Sequence, residues 1–125
     1  MQKVPISDGS GILDRHADFT SRFVDARHVD VWLPPDYTLD GADRYPVIYM
    51  QDGQNLFDPA LAYAGVDWGM DEAVLALIQA GMVIAPIIVG VWNTAQRWRE
   101  YMPQNAYERN LSQAAQAQFN ARSGG

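Results

Sequence analysis

Two continuous apolar runs, separated by a segment with helical period, restrict the architecture of this chain more than any other feature. Val47-Ile48-Tyr49-Met50 follows Tyr45-Pro46, and a longer run extends from Met82 to about Val91. Unbroken apolar strands of this kind suit a sheet covered on both faces, as parallel sheets are. Between them, about Trp68 to Ala80 reads as a helix, with Asp67 as N-cap, Asp71 and Glu72 in the first turns, and Gly81 as the C′ residue. Its apolar positions Val74, Leu75, Leu77 and Ile78 share one face. Strand, loop, helix, strand is a βαβ crossover, and such units are nearly always right-handed.

Upstream, the period changes. Gly11 to Thr20 is a weak edge-strand candidate. Arg27 to Leu33 alternates, with Val29, Val31 and Leu33 on one side and Trp32 on the other, and is stopped by Pro34-Pro35. These two segments predict an antiparallel edge beside the crossover. The fold class expected is therefore α/β, with antiparallel edge strands followed by a βαβ unit of a mainly parallel sheet. Beyond Met102-Pro103 the chain is polar and rich in Ala and Gln, without an amphipathic stripe, and 108–125 reads as a polar C-terminal tail. No internal repeat is present.

Composition removes several functional classes. The 125 residues suit a single domain, 1–125, with 48% hydrophobic and 19% charged residues. There is no cysteine, which excludes disulfides, Cys-ligated zinc and a thiol nucleophile. Nine Lys and Arg against fifteen Asp and Glu give a formal net charge of −6, which argues against nucleic acid as partner. The longest apolar stretch is too short to span a bilayer, contains Pro86, and no secretory signal opens the chain. A cytoplasmic location without a membrane partner is the expectation.

Two segments concentrate chemistry. Gln51-Asp52-Gly53-Gln54-Asn55 follows the first apolar run, at the strand end where open α/β sheets place their ligands. Asp-Gly between apolar runs is also a hairpin signal, although Leu56-Phe57 is a short return strand before Asp58-Pro59. Trp92 to Tyr101 follows the second run and gathers Trp92, Asn93, Arg97, Trp98, Arg99 and Tyr101. That mixture suits a pocket wall, or else a surface loop with Arg99–Glu100 pairing. His16 and His28 have no compact metal spacing, so neither a metal nor a cofactor is expected. None of the five serines, Ser7, Ser10, Ser21, Ser112 and Ser123, stands in Gly-x-Ser-x-Gly.

Arg27 to Tyr37, Arg44 to Phe57, the block Asp67-Trp68-Gly69-Met70-Asp71-Glu72, and Trp92-Asn93-Thr94 with Arg99 to Pro103 together resemble the opening of the putative esterase family. These are esterase D-like α/β-hydrolases related to enterochelin and feruloyl esterases, and the resemblance covers about 11–107. It implies the N-terminal part of an α/β-hydrolase fold and serine-dependent hydrolysis of carboxylic esters. It further implies that the backbone N–H of Gln54 is an oxyanion-hole donor. Gly53 would then admit the substrate carbonyl and Asp52 brace the turn, with Asn55, Trp92, Asn93 and Arg97 contributing to substrate binding. The triad of that fold follows the fourth strand, and no residue here matches it.

Two readings compete. In the first, the chain is the N-terminal fragment of an ester hydrolase, inactive alone, whose partner is a small-molecule ester once the other half is supplied. In the second it is a non-catalytic binding or assembly module, or one half of a split hydrolase. The Val47–Met50 strand then offers an unpaired sheet edge for self-association.

Overall fold

A computed structural model describes residues 1–122. Residues 123–125 of the expected tail, Ser123 among them, lie outside the described residues. Five strands form one sheet: β1 (Gln2–Pro5), β2 (Ile12–Phe19), β3 (Arg27–Trp32), β4 (Val47–Gln51) and β5 (Ile87–Val91). The helices are α1 (Met70–Gln79), α2 (Arg97–Glu100), α3 (Gln104–Asn110) and α4 (Gln113–Arg122). No helix among the described residues is long and apolar enough to cross a membrane.

The spatial order is β1-β2-β3-β5-β4. β4 and β5 pair in parallel through α1, Val47 opposite Ile87 and Gln51 opposite Val91, so the crossover expected from the two apolar runs is present. This parallel pairing also rules out the hairpin reading of Asp52-Gly53. The rest of the sheet is antiparallel: β1 with β2, β2 with β3, and β3 with β5. The described sheet is thus mixed and mostly antiparallel, where a mainly parallel one was expected. The reason is at the N-terminus. Gln2–Pro5, too short and polar to register as a strand by period, pairs with Ile12–Leu13–Asp14–Arg15 and converts β2 from an edge into an interior strand.

One face of the sheet is the core. Alternation along each strand places Leu13, Trp32 and Ile88 on that face, where Leu56, Phe57, Ile6 and Val74 of α1 cover them. Met50, Met70 and Ile78 pack around this cluster. Three helix and strand expectations need correction. Gly69, in the left-handed region at φ 60°, is the N-cap of α1, and Asp67 instead accepts a hydrogen bond from Gly69 N at 3.1 Å. Leu77 is exposed, because only Val74 and Ile78 of the apolar set turn onto the sheet. β5 begins at Ile87, five residues later than the apolar run, since Pro86 has no N–H to donate and Met82 and Ile84 stand in solvent. Gly81, at φ 68°, ends α1 as expected. The polar tail is helical over α3 and α4, neither of which has a buried residue.

The same core face holds a buried ion pair. Arg15 on β2 and Asp30 on β3 lie opposite each other, and the guanidinium donates twice to the carboxylate, Nε to Oδ1 at 2.7 Å and Nη2 to Oδ2 at 2.9 Å. The indole Nε1 of Trp92 adds a third donor at 2.8 Å, and the Arg15 guanidinium lies 4.8 Å from the Trp92 ring centroid. The turn between β1 and β2 is also tied down. Ser7 N donates to Asp58 Oδ2 at 3.1 Å, Ser7 Oγ to Asp58 Oδ1, and Ser10 Oγ to Asp71 Oδ2 at 3.2 Å.

Asp30→Ala leaves the Arg15 guanidinium buried without its carboxylate and removes the acceptor of Trp92. A loss of about 3–5 kcal/mol is expected, read as the urea-unfolding free energy against wild type. A loss below about 1 kcal/mol would show that water reaches the freed guanidinium.

Candidate functional site

Parallel pairing sets Gln51 beside Val91, so the segments leaving β4 and β5 emerge side by side at one end of the sheet. The first becomes a single 3-10 turn, Gly53–Asn55, closed by Asn55 N donating to Asp52 O at 2.8 Å. Asp52 enters that turn in the left-handed region, φ 57° and ψ 43°. Gly53 then lies directly on β5: a Cβ there would sit 2.6 Å from Gly90 C and 2.7 Å from Gly90 O. Two glycines meeting backbone to backbone allow the turn to fold down onto the sheet.

The Asp52 side chain is buried, and four donors converge on it. Arg97 donates Nε to Oδ1 and Nη2 to Oδ2, both at 3.0 Å, Asn93 Nδ2 reaches Oδ1 at 2.6 Å, and Tyr101 OH reaches Oδ1 at 2.9 Å. Arg97 above all, then Asn93 and Tyr101, hold the Asp52 carboxyl down to about 2 from its ordinary 3.8, against the opposing effect of burial. Burial and the adjacent Asp52 charge push the Tyr101 phenol up, so it stays a donor. Gln54 and Asn93 form a second, reciprocal link: Gln54 Nε2 donates to Asn93 Oδ1 at 2.7 Å, and Asn93 N donates to Gln54 Oε1 at 3.1 Å. Asn55 secures the far side, its Oδ1 accepting from Tyr63 N at 2.9 Å and its carbonyl from Trp68 N at 2.7 Å. α2 is anchored to β3 by Arg27, which donates twice to Glu100 at 2.7 and 2.6 Å. Glu100 is thereby held from across the sheet by Arg27.

These contacts frame an open cavity of about 720 Å³. Of the expected site residues, Asp52, Gln54, Asn55, Asn93 and Arg97 line it. Gly53 lies beneath, against Gly90. Trp92 is turned the other way, into Asp30, Arg15 and the edge of His28, whose ring centroid is 4.8 Å distant. Of the cavity's apolar rim, Leu61, Tyr63, Val66, Trp68 and Trp98, only Trp98 was marked as pocket-forming by the sequence. Tyr63, Trp68 and Trp98 are 86%, 53% and 61% exposed. For Leu61, Tyr63 and Val66 a signal was available: large apolar residues inside a loop, outside any periodic segment. A second cavity of about 600 Å³ adjoins across Arg97 and Trp98, between α2 and α4. Among the described residues no cluster of three or more His, Asp or Glu is placed to hold a metal ion. Chemically, the site offers a charge-fixed turn with backbone N–H groups, amide side chains, and aromatic walls.

A family model described as putative esterase matches residues 20–121. No curated protein and no solved structure matches the chain.

Asp52→Asn removes the charge that gathers Arg97, Asn93 and Tyr101, and roughly 2 kcal/mol of unfolding free energy should go with it. A carboxyl whose pKa is lowered on folding stabilises above its unfolded pKa and loses that contribution as pH falls through the folded value. The difference between wild type and Asp52→Asn should therefore be constant above about pH 4 and close toward about pH 2. A difference that persists undiminished at pH 2 would mean the carboxylate is not what holds the turn. Gly53→Ala should cost about 1–3 kcal/mol by forcing the turn off Gly90, read by thermal unfolding.

Proposed function

Because the chain belongs to the putative esterase family, we propose that it carries the oxyanion-hole loop and part of the substrate pocket of a serine carboxylic-ester hydrolase of the α/β-hydrolase type. The catalytic Ser, acid and His lie outside these 125 residues in this reading, since no serine here stands in Gly-x-Ser-x-Gly. The observation that carries it is the position of the Gly53–Asn55 turn, at the carboxyl ends of two adjacent parallel strands and bordering a cavity large enough for a small ester.

The chemistry assigned to this half of the site is electrostatic. A serine hydroxyl adds to the ester carbonyl carbon and passes its proton to histidine, while the carbonyl π electrons move onto oxygen. The new oxyanion accepts a hydrogen bond from the backbone N–H of Gln54. In supplying it the turn needs no rearrangement, because Asn55 N and Leu56 N already bond to Asp52 O and Gly53 O. Collapse of the intermediate expels the alcohol, which takes the proton back from histidine; water then repeats the cycle on the acyl-enzyme. Removing one such donor typically lowers kcat about 10²–10³-fold, so placement of the turn matters as much as its presence. Asp52 is a positioning residue: it fixes Arg97 and Asn93, and through Asn93 the Gln54 side chain. Asn55, Asn93 and Arg97 present polar groups to the substrate, and the aromatic rim takes its apolar part. Ester is the sole small-molecule partner this reading requires.

The purified chain should not turn over p-nitrophenyl acetate above buffer, nor form an adduct with a serine-directed phosphonate in intact mass. In a 15N-resolved titration with phenyl acetate, the Gln54 and Asn93 amides should shift together. Phosphonate-sensitive turnover would overturn the missing triad, and unmoved amides would overturn the pocket.

A further inference from the structure

The antiparallel ladder between β2 and β3 is interrupted at one place. His16 pairs with Val29 and Phe19 with Arg27, so Ala17 and Asp18 of β2 stand against the single residue His28 of β3. Asp18 takes the left-handed region at φ 48°, uncommon for a residue with a Cβ. Its N–H leaves the ladder and donates to a side chain, His28 Nδ1, at 3.0 Å. The Asp18 carboxylate waits beside the same nitrogen, with Oδ1 at 3.8 Å, beyond hydrogen-bond reach. One residue thus offers a single imidazole nitrogen both a donor and an acceptor, and only the donor is engaged.

A nitrogen that accepts an N–H carries no hydrogen of its own. The His28 ring is therefore neutral in this arrangement, with its hydrogen on Nε2. Imidazole is the side chain whose charge changes between about pH 5 and 8. With a proton on Nδ1 the ring becomes a donor facing another donor, and a carboxylate becomes its partner. The charged groups around the ring decide which one. The Arg15–Asp30 pair shares the Trp92 indole with it, and on its own strand Arg27 is bound to Glu100 of α2. Asp25 meets Arg27 through its carbonyl, and His16, beside Val29, lies on the other face of the sheet. Asp30 and Glu100 are each committed to a guanidinium, so the new donor goes to Asp18. That exchange removes the contact that keeps Asp18 at positive φ, and frees its backbone to turn.

We propose that His28 is a proton-operated latch on the β2–β3 hairpin. Neutral, it closes the bulge at Asp18 and holds the connection 20–26 in place. Protonated, it releases the Asp18 N–H, takes the Asp18 carboxylate instead, and lets the connection re-seat. The latch stands at the end of the sheet that carries the candidate site. Trp92 N donates to His28 O at 3.0 Å, and the two rings meet edge-on with centroids 4.8 Å apart. Asn93, the next residue, lines both the small cleft beside Asp18 and the cavity over Asp52. Opening of the latch therefore moves the hairpin connection beside Asn93. The proposal does not depend on the ester-hydrolase reading, because it requires nothing of what the cavity binds.

Nitrogen-15 spectra of the imidazole should show His28 Nδ1 without hydrogen at about pH 8 and with hydrogen at about pH 5. Over the same range the exchange protection factor of the Asp18 amide should fall at least tenfold, with the circular dichroism spectrum unchanged. His28→Phe keeps a ring against Trp92 but removes the acceptor, so Asp18 should be unprotected at both ends of the range. His16→Gln should retain the wild-type transition. Hydrogen on Nδ1 at pH 8, constant Asp18 protection in the wild type, a transition that survives His28→Phe, or one lost in His16→Gln would each overturn the proposal. Should His28→Phe fail to fold, the wild-type ring spectrum and His16→Gln decide by themselves. None of these results bears on p-nitrophenyl acetate turnover or on the Gln54 titration, so failure here and failure of the ester reading are separable.

Discussion

The Asp52 carboxylate is the fixed charge around which this end of the molecule is assembled. It lies where β4 ends, is buried, and stays ionised because Arg97 grips both of its oxygens. Buried charge is tolerated only when paired and hydrogen-bonded, so the sequence around it is committed to supplying donors. Arg97, Asn93 and Tyr101 all come from the segment after β5, roughly one turn of chain apart from each other. Their convergence on a single carboxylate gives a short, otherwise irregular loop a defined course. Without that charge, Asn93 would lose one of its two anchors and the Gln54 side chain would be held by a looser partner.

Behind this cluster stands a second one with a different task. Arg15, Asp30 and Trp92 lie on the core face beneath the loops, with Trp92 belonging to the site segment by sequence and to the core by position. The indole therefore couples the two. Its N–H is spent on Asp30, while the residue after it is spent on Asp52 and Gln54. Between the clusters lies the Gly53–Gly90 contact, where no side chain can intrude. Polar networks are costly when half satisfied and rigid when complete, and these two are closed around their charges. The apolar rim of the cavity has no comparable restraint, and Tyr63, Trp68 and Trp98 meet solvent.

The sequence carried the crossover clearly, because an apolar run is read by local period and its partner strand imposes no further pattern. It also carried the two loops, since both follow strand ends, and five of the seven residues singled out line one cavity. Trp92 was not separable from the pocket by type. Which way an indole turns is decided by the Arg15–Asp30 pair, more than fifty residues upstream. β1 was invisible for a related reason: Gln2–Pro5 has no hydrophobic signature and exists as a strand only because β2 offers it a ladder. The N-cap of α1 passed from Asp67 to Gly69 through a left-handed backbone that no side-chain pattern announces. The exposure of the Val47 and Tyr49 side chains was equally hidden, because the composition of β4 is that of a strand covered on both faces.

That strand order has a consequence in time. Among the described residues β5 is the last strand to be made, and it inserts between β3 and β4, both of which precede it. As the chain leaves the ribosome, Val29 cannot find Val91, nor Tyr49 find Val89, until the whole of α1 has been synthesised. At ~5–20 residues per second, the Val47–Met50 segment spends on the order of seconds without β5, the strand it pairs with. The turn between β1 and β2 waits as well, because Ser7 is held by Asp58 and Ser10 by Asp71, each more than fifty residues away. Translation speed through 52–91 therefore sets how long the apolar Val47–Met50 segment of the nascent chain stays bare.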